Sequence, residues 1–251
     1  MLRDTYLVAK HELLVTARNP FWIVFGLFQP IVYLLLFAPF LKGVASTPGF
    51  PGGDSIQFFA PGLLIMNAMF NAGFAGFGII EKMRSGFLER LRVTPISRVA
   101  LVLGLVLVST TEVILQSVLL VLVSLFFGLT VTVAGIALLL VLLILVAVAM
   151  ASASFSLALM VKDEGILAGV TNFFQLPLLL LSGVLLPIAF APALIRALSA
   201  LDPFRYAADA ARDLIVGGSD GASVTTAFPL FVMLAAIALG WFVRMIREAV
   251  A

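Results

Sequence analysis

No cysteine occurs among the 251 residues, which excludes disulfides, thiolate metal sites and cysteine nucleophiles together. The single histidine, His11, leaves no pair of imidazoles for a metal centre within one chain. Charge is scarce too: Asp, Glu, Lys and Arg make up 11% of the chain and hydrophobic residues 63%, against roughly 25% charged in an ordinary soluble domain. A soluble globular protein is excluded. So is a solvated disordered chain, which needs low hydrophobicity and high net charge. The formal net charge of +2 offers no concentrated basic face for nucleic acid. What remains is a chain whose solvent is the bilayer.

Catalytic signatures are missing as well. The sequence contains no G-x-S-x-G and no H-E-x-x-H, and its spans hold no carboxylate pair for acid and base work. None of the four lysines, Lys10, Lys42, Lys82 and Lys162, follows a glycine, so the chain has no P-loop and does not hydrolyse ATP by itself. It is expected to be no enzyme, with no cofactor or metal of its own.

A membrane helix needs about 20 consecutive apolar residues. Residues 19–41, 55–80, 165–195 and 221–243 carry no Asp, Glu, Lys or Arg, and 99–161 carries only Glu112. The last stretch is long enough for two spans, parted at Gly128, Thr130, Thr132 and Gly135. Apolar residues run continuously instead of alternating, which favours helices over barrel strands. The expectation is therefore an all-α integral membrane protein, a single transmembrane domain over 1–251. Its six spans fall at about 20–41, 57–80, 99–128, 131–161, 167–187 and 223–244. No cleavable signal peptide is evident.

Lys and Arg collect in cytoplasmic loops. Placing both termini inside puts 11 of the 15 basic residues on that side and leaves only Lys42, Arg196, Arg205 and Arg212 outside. A multi-pass protein of the cell (cytoplasmic) membrane with both termini cytoplasmic is expected. Before the first span, Leu2, Tyr6, Ala9, Leu13 and Ala17 recur at intervals of three and four, predicting an amphipathic interfacial helix over 1–18. The segment after Pro187 alternates Leu198, Leu201, Phe204 and Ala207 with Asp and Arg residues. It predicts a re-entrant external helical hairpin over 188–220.

The loop between the second and third spans reads Glu81-Lys82-Met83-Arg84-Ser85-Gly86-Phe87-Leu88-Glu89-Arg90-Leu91-Arg92-Val93-Thr94-Pro95. Phe87, Leu88 and Leu91 form an apolar edge among charges, and Pro95 disfavours helix just before it. On periodicity alone a positive anchor with incidental leucines is as good an account as a docking helix. The loop resembles, however, the E-x-x-R-G-x-L-E-R-L-x-x-T-P motif of type 2 family ABC transporter permeases. Glu81, Arg84, Gly86, Leu88, Glu89, Arg90, Leu91, Thr94 and Pro95 match it, with Ser85 inserted before the glycine. Leu181-Ser182-Gly183-Val184-Leu185-Leu186-Pro187 is similar to the family's L-S-G-x-x-x-P. Asp202-Pro203-Phe204-Arg205-Tyr206 and Arg212 are similar to its N-P-x-x-Y and later arginine, with Asp202 where Asn is commoner. Phe59-Ala60-Pro61-Gly62 looks like the drug-export branch that includes the daunorubicin-resistance permease.

The resemblance implies that 81–95 is a coupling helix docking into a separate ATP-binding subunit, two copies per transporter, which binds ATP and Mg. Arg92 and its charged neighbours would rim that contact. It implies a second permease copy, identical or related, and a substrate path lined largely by spans two and five. Its candidates here are Asn67, Phe70, Asn71 and Phe74, then Asn172, Phe173, Phe174 and Gln175. Ser182, Gly183, Pro187, Asp202, Pro203, Tyr206 and Arg212 would form the external gate. Amides in hydrocarbon equally serve helix packing. Glu112, with Gln116 one turn on, is either a proton or substrate contact or a packing residue, and packing is favoured. The expected function is ATP-driven export of a hydrophobic or amphipathic compound, drug-like or lipid. The alternatives are a polysaccharide or lipid-linked glycan exporter, and a proton-coupled secondary transporter using Glu112.

Overall fold

The computed structural model describes residues 2–18, 26–36, 55–86, 97–185, 187–216 and 221–250. Among these residues the chain is all helical. In chain order the helices are α1 (Leu2–Ala17), α2 (Gly26–Leu36), α3 (Ser55–Gly73), α4 (Gly76–Arg84), α5 (Arg98–Phe126), α6 (Val133–Val161), α7 (Glu164–Leu181), α8 (Ala193–Ser199), α9 (Pro203–Val216) and α10 (Ala222–Val250). A 3-10 turn, Ile188–Phe190, precedes α8.

Among the described residues five helical stretches are long and apolar enough to cross a membrane: α3 with α4, α5, α6, α7 and α10. The expected first span coincides with described residues only over α2, and the rest of 20–41 lies outside them. Residues 87–96 also lie outside, so Phe87, Leu88, Glu89, Arg90, Leu91, Arg92, Thr94 and Pro95 of the expected coupling loop have no structural account. Residues 81–84 continue the second span as part of α4. That helix stops at Gly86, whose φ of 73° is costly for any residue with a Cβ.

The core forms around α6, which packs against α3, α4, α5, α7, α9 and α10. Its sequence explains that position. Ala147, Ala149, Ala151, Ser152, Ser154, Ser156 and Ala158 are all buried, and small side chains let helix backbones approach closely where lipid supplies no hydrophobic drive between helices. Against α10 the contact is aromatic, with Phe155 and Phe242 stacked at 5.1 Å. The turn into α7 is tight: Lys162 adopts a left-handed φ of 57°, and the Asp163 carboxylate accepts the Ile166 N–H at 2.9 Å.

α1 runs along α5. The side it packs is set by close approach and polar bonds: a Cβ on Gly104 would stand 2.6 Å from Val8, and Thr16 bonds to Glu112. The packed side therefore carries Thr5, Val8, Ala9 and Glu12, while Tyr6, expected on the same face as Ala9, is 63% exposed. α7 is the least covered span. It buries only Leu167, Thr171, Gln175 and Leu179, one stripe with a four-residue spacing.

Candidate functional site

The end of the bundle where α4 finishes also holds Arg98, Lys162, Arg244 and Arg247, and is the basic end. Two ion pairs grip the last turn of α4 there. Lys82 pairs with Glu12 of α1, and Arg84 Nη1 lies 2.8 Å from Glu164 Oε1 at the start of α7. Beside the first pair, the Thr16 hydroxyl donates to Glu112 Oε1 at 2.9 Å, and Lys82 and Glu12 are the charges acting on that carboxylate. Glu112 thus joins α1 to α5 instead of facing lipid. The helix that leads into the expected coupling loop is fastened to both α1 and α7. Of the coupling residues, the structure places Glu81, Arg84 and Gly86.

The expected path residues divide into two groups. Asn67, Gln116 and Gln175 are buried inside the chain's own bundle, each 3% exposed or less. Gln175 Nε2 donates to the Met69 carbonyl of α3 at 2.9 Å, and Asn71 Nδ2 donates to Asn67 Oδ1 at 2.8 Å. Gly26 of α2 faces Gln116 and Asn71, whose polar atoms would stand 2.5 and 3.0 Å from a Cβ placed there. Gln175 thereby bonds α7 to α3, and Gln116 and Asn71 lie against α2 at Gly26. Asn172 returns to the Ala168 carbonyl of its own helix at 2.9 Å. Phe173 and Phe174, in contrast, are 73% and 59% exposed and meet edge to face. Phe70, Phe74 and Phe77 form a half-buried ladder with centroids 6.3 and 5.6 Å apart.

At the opposite end, α9 begins with Asp202 accepting the Phe204 N–H at 2.9 Å and Pro203 in the first helical position, a start that needs no N–H from the proline. Tyr206 donates to the Ala200 carbonyl at 2.9 Å. Arg212 ties this segment to two spans. Its Nε donates to the Phe58 carbonyl at 3.2 Å, Nη2 to the Gly183 carbonyl at 2.7 Å and Nη1 to Asp209 Oδ1 at 3.0 Å, while the guanidinium lies 3.8 Å above the Phe58 ring. Gly183 itself follows Ser182, whose hydroxyl closes the end of α7 on the Leu179 carbonyl at 2.7 Å. Pro187 is buried just before the 3-10 turn.

Burial sets the electrostatics of this end. It pushes the Asp202 carboxyl up to about 6, only partly offset by the Phe204 N–H. The Arg212 guanidinium is drawn down to about 10 by burial, with Asp209 opposing. Asp209 is raised, because desolvation outweighs Arg212 and Arg205. Arg212, Asp209 and Phe58 together make a lock that joins α3, the end of α7 and α9.

Several residues here escaped the sequence reading: Glu12, Lys82 and Glu164 of the ion pairs, Asp209 of the lock, and Ser154, which bonds to α3 and α4 across the core. The only signal for Ser154 is its place in a run of small residues. Among the described residues no cluster of His, Asp and Glu is suited to hold a metal.

Comparison with known proteins agrees with this architecture. A family model described as "ABC-2 type transporter" matches residues 3–216. The chain is 25% identical over 215 residues to "Putative transport permease ycf38" of Cyanophora paradoxa, a match covering 85% of this chain and 74% of that protein.

Proposed function

Because the chain belongs to the ABC-2 type transporter family, a family of transport permeases and not of catalytic subunits, we propose that it is one permease half of an ATP-driven exporter. Under this reading the basic end is cytoplasmic, both termini lie there, and the segment from Pro187 to Val216 closes the outer end. Permeases of this family pair with a separate ATP-binding subunit, which supplies the P-loop this sequence lacks and holds the nucleotide with its magnesium. Two such subunits and two permease chains complete the transporter.

The observation that carries the reading is the double tether of α4. The coupling segment 81–95 begins on a helix whose last turn is ion-paired to α1 through Lys82 and to α7 through Arg84. An ATPase docked on Phe87, Leu88 and Leu91 would act next in the chain to a helix fastened to both α1 and α7. Glu89, Arg90 and Arg92 form the rim that sets partner choice more than affinity. The cargo is a hydrophobic or amphipathic compound, drug-like or lipid, a reading supported by exposed Phe173 and Phe174 and half-buried Phe70 and Phe74. A lipid-linked glycan would meet the same aromatic surface, and partly exposed Asn71 and Asn172 add amides to it. The proton-coupled alternative is disfavoured by the bond from Thr16 to Glu112, which gives that carboxylate a packing role.

The test is purification of tagged wild type and Leu88→Glu from native membranes in mild detergent, with mass spectrometry and an ATPase assay on what co-purifies. A P-loop subunit kept by the wild type and lost from the variant supports the reading. A well-folded wild type that brings down no ATPase removes it.

A further inference from the structure

The second span is not one helix. α3 ends at Gly73 and α4 begins at Gly76, and the ladder between them skips. Ala75 N–H goes to the Ala72 carbonyl at 3.3 Å and Phe77 N–H to the Phe74 carbonyl at 3.1 Å. The Gly76 N–H and the Gly73 carbonyl are thereby left over, in a part of the bundle where an unpaired backbone group is expensive. One side chain takes both. Ser154 Oγ accepts the Gly76 N–H at 2.9 Å and donates to the Gly73 carbonyl at 2.6 Å.

Four other hydroxyls of α5 and α6 bond within their own helix. Thr110, Thr111, Ser124 and Ser156 each return their proton to the carbonyl four residues back, at 2.7 to 2.8 Å, the usual resting bond for Ser and Thr in a helix. Ser154 gives that bond up to reach across to α3 and α4. The break is also closely fitted. A Cβ on Gly76 would stand 2.5 Å from the Ser154 carbonyl, and one on Gly73 would stand 1.8 Å from Gln175 Nε2.

A second arrangement has the same number of hydrogen bonds. The bent state holds five bonds, counting Gly78 N–H to the Ala75 carbonyl; if the span straightens, the N–H groups of Ala75, Gly76, Phe77 and Gly78 return to the carbonyls of Asn71, Ala72, Gly73 and Phe74, and Ser154 bonds back to the Met150 carbonyl, again five. Two packings with equal bond counts make a two-state element, which is the physical requirement for transmitting a movement. We propose that the Phe74–Ala75 break is the hinge on which α4 swings against the outer part of the span, and that Ser154 is the positioning residue that latches its bent state. The proposal rests on the exporter reading for what drives the swing and on this geometry for where it happens. α4 is the arm: nine residues long, it starts at the latch and ends at the two ion pairs.

The experiment uses the absence of native cysteine. Spin labels on Ser85→Cys, at the far end of the arm, and on Leu138→Cys, an exposed site on α6, report the swing by pulsed dipolar spectroscopy. They are placed in otherwise wild-type, Ser154→Ala and Ser154→Thr backgrounds. Removing the hydroxyl strands both backbone groups of the bent state, so Ser154→Ala should shift the population at least about tenfold toward the straight one. A change of about 20° on an arm of this length moves its tip by about 5 Å. Ser154→Thr, which keeps the hydroxyl, should superpose on wild type. In the complex with its ATPase, Ser154→Ala should transport at least about threefold less substrate per ATP hydrolysed, with Thr restoring the ratio. Identical distance distributions in the Ala and wild-type backgrounds would overturn the hinge. Failure of any ATPase to co-purify would instead count against the exporter reading, and the labels on the permease alone would still decide the latch.

Discussion

Arg212 shows what a charge must do to stay among helices. Its guanidinium donates to two backbone carbonyls and one carboxylate and covers the Phe58 ring, so removal takes a buried partner from all of them at once. Arg212→Ala should lower stability by about 3 kcal/mol or more, read as thermal unfolding in detergent. Arg212→Lys should recover little of it, because an ammonium cannot reproduce the fork. Asp202 makes the opposite case. Its buried carboxyl is raised from 3.8 to about 6, so between those values the folded chain holds a proton that the unfolded chain has released. Stability contributed by this group is then full below about 4 and falls as pH rises through about 6. Asp202→Asn keeps an acceptor for the Phe204 N–H and removes the titration. Its melting midpoint should lose the decline that wild type has across that window, and an unchanged slope would assign the titration to another group.

At the scale of elements, the proposed exporter reading makes α4 and its tethers the part that carries coupling. Lys82 sits against Glu12 with Glu112 near, so Lys82→Glu gathers three carboxylates and should abolish most transport while Glu12→Lys with Lys82→Glu restores it to within about threefold. Transport assays on single and double reversals at matched expression check this, and a double variant no better than the singles would remove the pair from the coupling route. Such links explain which parts of the molecule were legible in the sequence. The helices Arg98–Phe126 and Val133–Val161 begin and end where charge or Gly and Thr interrupt long apolar runs, so hydropathy marks them within two residues or so. α10 runs on past the apolar stretch to Val250, with Phe242 and Ile246 buried and Arg244 and Glu248 paired one turn apart on its exposed side, contacts that hydropathy does not register. The break in the second span is invisible to it, since Phe74, Ala75 and Phe77 are as apolar as their neighbours. Its partner Ser154 lies 78 residues away from Gly76. The ion pairs were hidden for the same reason: Glu12, Lys82 and Glu164 meet only once α1, α4 and α7 have packed.

For the whole molecule, the distribution of buried amides bears on where a substrate can pass. Asn67, Gln116 and Gln175 are buried inside the bundle, Gln175 bonding α7 to α3, so under the proposed exporter reading a path between two chains would not reach them. Under that reading the surface left for such a path is the outer face of α7. A helix that buries one stripe and exposes Phe173, Phe174, Leu176 and Leu180 would seat the proposed second permease copy, whereas the bare leucines of α5 and the exposed Ile237 of α10 suit lipid. The chain's lack of cysteine makes the distinction measurable. In native membranes, Phe173→Cys should cross-link to dimers with a short bifunctional thiol reagent, and Ile237→Cys, comparably exposed at 62%, should stay monomeric under the same treatment. Cross-linking confined to Ile237→Cys would move the seam to α10, and the aromatic pair on α7 would then face lipid rather than cargo.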